Sequence, residues 1–215
     1  MPQLLARASF LIAAAIALAG FGPAPTAPST PGKIEPPTHE ELLSTGPLGE
    51  RALGNPNAPI VVIEYASLTC PHCRNFHANV FPEVKRQYID TGKVRYIVRE
   101  FPIGRSAGNA AIINRCAPPK KYFLLLDAFL SRQSEWVSQE VRLDAIYGVA
   151  KSSGMSRETF DKCLSNQAII DGLSEVKQRG RQFGVVGTPT FFVNGRKAQG
   201  AVTFEQIKAL IEPQA

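Results

Sequence analysis

Ile60-Val61-Val62-Ile63-Glu64-Tyr65-Ala66-Ser67-Leu68-Thr69-Cys70-Pro71-His72-Cys73 is the stretch that decides the fold. Its first seven residues, rich in Val and Ile, predict a strand. Three turn residues follow, and the segment beyond carries Phe76, Val80 and Val84 at helical spacing. A strand that turns into a helix here sets Cys70 at the helix amino end, where unpaired backbone N–H groups and the helix dipole favour a thiolate. Thr69 is the expected N-cap, and Pro71 falls in the first turn, where its missing N–H breaks no helical bond. Cys73, three residues on, is within reach of Cys70, so the pair can cycle between dithiol and disulfide.

Pro71 stiffens the turn, and His72 can bring a positive charge or a hydrogen-bond donor close to the Cys70 sulfur. Both effects stabilise the reduced form, and a pair whose reduced form is stabilised is the stronger oxidant. A structural disulfide or half of a zinc site is the bland alternative. Zinc needs four ligands. Cys70, Cys73 and His77 supply at most three and the sequence has no second Cys-x-x-Cys, so neither a metal nor another cofactor is expected.

The amino end points to export. Residues 1–19 join a short head carrying Arg7 to an apolar run from Phe10, closed by Ala17-Leu18-Ala19 ahead of Gly20, the pattern of a signal peptide. Ten apolar residues are few for a bilayer span, and an uncleaved anchor is the lesser alternative. Phe21 stands where a lipoprotein would need cysteine, so lipidation is excluded. Without residues 1–19 the chain has 23 basic and 18 acidic residues, a net charge of +5, with no Lys/Arg run that would suggest nucleic acid. Residues 20–50 hold seven of the 17 prolines and read as a solvated linker.

Arg51 to Gly54 predicts a first edge strand, and residues 69–90 predict one long helix kinked at Pro82 and stopped by Gly92. A second strand runs from Val94 to Phe101, completing a right-handed β-α-β unit. Alternation puts Glu64 on the face of Val62 and Ala66. There it is either a buried acid relaying protons for Cys73 or the partner of a base on a neighbouring strand. Residues 106–183 carry only helical patterns and predict an inserted helical subdomain, with Trp136 in its core. Cys116 and Cys163 fall on apolar helix faces within it. They are either two buried thiols or one bond, and the bond suits an oxidising compartment.

Residues 184–215 contain the second informative stretch, Gly187-Thr188-Pro189-Thr190-Phe191-Phe192-Val193-Asn194-Gly195. A proline at the start of a strand after a glycine turn is a candidate cis peptide, and Asn194-Gly195 signals a hairpin to Arg196–Gln199. Thr203 and Gln206 predict a capping box for a last helix.

This order of motifs, with Cys70-Pro71-His72-Cys73 followed far downstream by Thr188-Pro189, resembles the DsbA family of periplasmic thiol:disulfide oxidoreductases. The resemblance runs from about Arg51 to the C-terminus. It implies an α/β thioredoxin fold with an inserted α-helical subdomain, the two thioredoxin parts being residues 51–105 and 184–215. It also implies that Cys70 is the attacked sulfur and Cys73 the buried leaving thiol, that Glu64 is the buried acid, and that Thr188 and Pro189 line the substrate. Cys116 and Cys163 are similar to the second disulfide of some α-proteobacterial members. The partners implied are reduced or unfolded exported proteins and a DsbB-like quinone-linked membrane oxidase, with the protein a periplasmic monomer. Thr188 departs from the valine of the most familiar oxidases and matches isomerases, so a disulfide isomerase or reductase stays open as an alternative. A redox-silent peptide-binding chaperone is the third reading.

Overall fold

The computed structural model describes residues 37–212. The expected signal peptide and the first part of the proline-rich stretch lie outside the described residues. Five strands, β1 (Arg51–Leu53), β2 (Ile60–Ala66), β3 (Val94–Glu100), β4 (Thr190–Val193) and β5 (Arg196–Gln199), form one mixed sheet in the order β1-β3-β2-β4-β5. β2 and β3 are parallel, with Glu64 opposite Val98, and the other pairings are antiparallel. Among the described residues ten α-helices accompany it: α1 (His39–Leu43), α2 (Pro71–Asn79), α3 (Phe81–Val84), α4 (Gly104–Cys116), α5 (Tyr122–Ser131), α6 (Gln133–Trp136), α7 (Leu143–Ser152), α8 (Arg157–Leu164), α9 (Gln167–Gln182) and α10 (Phe204–Ile211).

Because β2 has a neighbour on either side and helices over both faces, its last five residues are all buried. Val62 and Ala66 belong to the larger core with Phe76 of α2, Phe129 of α5, Ile146 of α7, Phe160 of α8 and Ile207 of α10. Ile63 and Tyr65 belong to the smaller core on the opposite face, with Leu42, Ile97, Phe101, Val176 and Phe192. Each buried Val, Leu, Ile or Phe among them contributes about 1.5–3 kcal/mol. Trp136 is fully buried and its indole N–H donates to the Phe129 carbonyl at 2.8 Å, so the polar handle is satisfied inside the core. Thr203 and Gln206 form the capping box of α10.

Three expectations change. The helix expected over 69–90 is broken at Val80: α2 ends, α3 begins with Pro82 in its first turn, and Lys85–Ile89 forms a π turn. Proline is tolerated in a first turn, so it starts a new helix instead of kinking an old one.

Residues 37–50 are not a solvated linker. Thr38 and Glu41 build a capping box for α1, Leu42 is 1% exposed in the smaller core, and Glu50 pairs with Arg95 at 2.9 Å and Arg99 at 2.8 Å. Leu48 lies against Gly172 of α9, where a Cβ would come within 2.4 Å of its Cγ. Two leucines and a carboxylate facing two strand arginines outweigh the local proline content.

The helical region expected over 106–183 divides. Buried residues of α4, α5, α7 and α8 join the larger core, but Val176 of α9 joins the smaller one on the far face of the sheet. Gly180 permits this, since a Cβ there would sit 2.8 Å from the Tyr65 ring. Cys116 of α4 and Cys163 of α8 are disulfide-bonded. Closing that 47-residue separation contributes about 4 kcal/mol in the chain-entropy picture.

Candidate active site

β2 ends at the larger core and hands the chain to a tight turn in which the Cys70 N–H donates to the Ser67 carbonyl at 3.0 Å. Cys70 itself, not Thr69, is the N-cap of α2, with extended backbone angles and Pro71 next in line. The Thr69 hydroxyl instead donates to the Ile103 carbonyl at 3.4 Å, joining the turn to the loop after β3. As N-cap, Cys70 has its sulfur beside the unpaired N–H groups of the first turn, which a helix interior would not offer.

Cys70 and Cys73 carry unbonded thiols in very different surroundings: Cys70 is half-buried and Cys73 is 0% exposed. The Cys70 thiol is lowered to about 5, chiefly because the Cys73 thiol donates to its sulfur. The backbone N–H groups of Cys73 and His72 add to this, while partial burial opposes it. Cys73 is pushed well above the usual thiol range, first by burial, then by donating to Cys70, then by the charge of Glu64. One sulfur is thus an accessible thiolate and the other a concealed thiol. His72 and Pro71 are exposed on the first turn, and it is the backbone N–H of His72 that acts on the sulfur.

The downstream motif reaches the same place. The Cys70 thiol donates to the Thr188 carbonyl oxygen at 3.1 Å across 118 residues of sequence. The Thr188–Pro189 bond is cis. Thr190 Oγ1 donates to the Gly187 carbonyl at 2.7 Å, and the Gly200 N–H to the Pro189 carbonyl at 2.8 Å, so β4 and the strand beside it fix this loop. Thr188 Oγ1 is buried with no hydrogen-bond partner among the described residues.

Glu64 is fully buried. Its partner is not a base on a neighbouring strand: Oε2 lies 2.8 Å from His77 Nε2 on α2 and accepts from the Tyr96 hydroxyl on β3. Burial, then the Glu64 charge, raises the Tyr96 hydroxyl well above its usual range, so it stays protonated and donates. Glu64 Oε1 has no hydrogen-bond partner among the described residues. His77 is therefore committed to the carboxylate, and no group of residues able to hold a metal ion occurs among the described residues.

Sequence reasoning missed His77 and Tyr96 as members of this cluster. His77 is four residues beyond Cys73, one helical turn, a spacing that groups it with the cysteines as a possible zinc ligand and not with Glu64. It also missed Gln133 of α6, which is 5% exposed and whose amide donates to the Leu68 carbonyl at 2.8 Å and the Cys70 carbonyl at 3.1 Å. Nothing in the sequence ties a glutamine 63 residues downstream to the cysteine turn.

Residues 48–213 match the family model described as Thioredoxin. A Rickettsia bellii protein, provisionally named a protein-disulfide oxidoreductase, is 35% identical over 167 residues, which are 76% of this chain and 63% of that one. A Rickettsia conorii protein of similar name is 37% identical over 150 residues, of whose length they are 53%. The chain therefore spans between about half and two thirds of these relatives. Among solved structures, alpha-DsbA1 of Wolbachia pipientis is 34% identical with a TM-score of 0.74, over 81% of this chain and 94% of that one. BdbD of Bacillus subtilis, with a TM-score of 0.69 and 22% identity over 75% of this chain and 90% of that one, shares the fold.

Proposed function

The chain belongs to the thioredoxin family, in its DsbA branch, and from that premise we propose that it is a thiol:disulfide oxidoreductase that donates the Cys70–Cys73 disulfide to folding exported proteins. The observation that carries this reading is the asymmetry of the two sulfurs. Cys70 sits half-buried at a helix amino end with its thiol lowered to about 5, and Cys73 is concealed with its thiol raised.

In the oxidised protein a substrate thiolate attacks Cys70 Sγ, forming a mixed disulfide while the Cys70–Cys73 bond breaks. Cys73 departs into a site that disfavours its anion, so it takes up a proton. Glu64, whose charge reaches Cys73, is the buried acid placed to accept a proton from solvent and hand it to the departing Cys73 sulfur. A second substrate thiolate then attacks the substrate sulfur of the mixed disulfide, and Cys70 leaves as the stabilised thiolate, a good leaving group. Two electrons pass from two substrate thiols to the cysteine pair. The Thr188 carbonyl, beside the reacting sulfur, is available to pair with an extended substrate chain next to Pro189.

Regeneration requires an oxidant, for which the family points to a DsbB-like quinone-linked membrane oxidase. The export pattern at residues 1–19 supports the periplasm as the compartment for this chemistry. No helix among the described residues is long and apolar enough to cross a membrane.

The test is a reduced two-cysteine peptide mixed with the oxidised protein. One peptide disulfide should form per protein disulfide consumed, and Cys70→Ala should abolish it. Undiminished exchange in Cys70→Ala would sink the reading, and absence of any peptide disulfide with the unaltered protein would sink it too and leave the redox-silent chaperone. Thr188 before Pro189 favours an isomerase as the second reading. Faster rescue of a scrambled substrate than of a fully reduced one would establish it.

A further inference from the structure

Three segments converge on the Cys70 sulfur. The first carries the sulfur itself and, one turn further along α2, the exposed Arg74. The second is the loop after β3, held to the cysteine turn by the Thr69 hydroxyl on the Ile103 carbonyl and by the Ile103 N–H on Ser67 Oγ at 3.2 Å. The third is the loop ending at Thr188, whose carbonyl meets the sulfur.

None of the three brings an acidic residue to the surface. The sequence has no Asp or Glu at 65–82, at 101–126 or at 176–204, although the chain holds 18 in all. Glu64 within β2 and Glu100 at the end of β3 are buried, the first bonded to His77 and Tyr96, the second to Arg115 and Tyr122. The first two segments present Arg74 and Arg105 as exposed side chains, and Arg181 at the end of α9 and Lys197 of β5 are exposed on the elements that flank the third. Lys197 Nζ donates to the Gly184 carbonyl at 3.0 Å, which holds its charge at the root of the Thr188 loop. Lys177 donates to the Pro102 carbonyl at 2.6 Å beside the Ile103 loop, and burial together with the charge of Arg181 lowers its ammonium pKa. Among the described residues none of these five cations forms a salt bridge.

Two large apolar side chains stand in the same setting. Ile103 is 51% exposed and Val186 is 80% exposed, one on each loop flanking the cysteine turn. These elements thus offer apolar contact among cations that form no salt bridge among the described residues.

We propose that the Cys70 face selects reduced protein segments whose cysteine is flanked by Asp or Glu. The inference rests on the oxidoreductase reading and names the substrate class for it. Unpaired cations around a reacting centre raise the encounter rate of an anionic partner and repel a cationic one, an effect of 10- to 1000-fold in rate at low salt. The discrimination therefore lies in the rate of encounter and is screened by salt.

The experiment uses the oxidised full chain and two reduced peptides identical except for Glu or Lys on either side of the cysteine. Each rate is divided by that peptide's rate with neutral 2-hydroxyethyl disulfide, which cancels the effect of the flanking charges on the peptide thiol itself. The Glu peptide should react about 10-fold faster than the Lys peptide at low salt. The ratio should collapse toward one in 1 M salt, where the screening length is about 3 Å. Arg105→Ser/Arg181→Ser should shrink the low-salt ratio, and Arg105→Lys/Arg181→Lys should keep it. Equal normalised rates at low salt, or a faster Lys peptide, would overturn the inference and leave the proposed activity standing. Oxidation of neither peptide would overturn both.

Discussion

His77 Nε2 lies 2.8 Å from Oε2 of Glu64, the one on the helix that begins at Cys70 and the other on the strand that leads to it, with both side chains buried. The contact clasps β2 to α2 directly beneath the cysteine pair, and Tyr96 donates to the same oxygen from β3. His77→Leu removes one partner of a buried pair and is expected to cost about 3–5 kcal/mol, read from denaturant unfolding. Glu64→Gln keeps the shape and removes the charge that helps hold the Cys73 thiol up. Compared in a Cys70→Ala background, it should lower the Cys73 pKa in an absorbance titration of the thiolate. An unchanged or higher value would rule out an electrostatic hold of Glu64 on Cys73.

The reduced protein should show its chemistry in its pH dependence. Cys70 titrates at about 5 when folded, against about 8.5 for an ordinary thiol. A depressed acid stabilises the folded state fully above the unfolded pKa and loses that contribution as pH falls through the folded one. The Tm of the reduced form relative to the oxidised form should therefore rise from pH 5 to about 8.5 and be flat below 5. Over the same range the potential of the couple should fall by about 30 mV per pH unit above pH 5 and by about 59 mV below it, as one proton or two accompany the two electrons. A slope of 59 mV sustained to pH 8 would mean that Cys70 is an ordinary thiol.

Gln133 ties the helical region to the cysteine turn through the Leu68 and Cys70 carbonyls. Gln133→Leu leaves both without this donor and should cost about 1–3 kcal/mol. Gln133→Glu, which sets a carboxylate against two carbonyl oxygens, should be worse than Leu. Chemical denaturation of the three proteins in parallel checks the order.

Leu42 decides whether residues 37–50 belong to the folded body. At 1% exposure in the smaller core, Leu42→Ala should cost about 2–5 kcal/mol. In a solvated linker the same change would be neutral within about 0.5 kcal/mol, which calorimetry separates easily.

Much of the fold was legible because it is written in local patterns. The Val/Ile run of β2, the apolar stripes of α4, α5, α7, α8 and α9, the Asn194-Gly195 hairpin and the Thr203–Gln206 box each follow from residues within one or two turns of one another. The Thr38–Glu41 box at α1 was equally local and was obscured by the prolines around it. The break at Val80 was displaced from Pro82 because a proline is as welcome at the start of a helix as it is disruptive inside one.

By itself the sequence determined that two cysteines stand at the mouth of a helix fed by a buried strand, since the dipole, the free N–H groups and the proline turn all act over a few residues. Only the tertiary structure decided what surrounds them: the Thr188 carbonyl on the Cys70 sulfur, His77 and Tyr96 on Glu64, Gln133 on the cysteine turn, Leu42 beneath the sheet. These contacts join residues brought together by packing, and a hydrogen bond or a buried charge finds its partner by distance in space, which no spacing along the chain records.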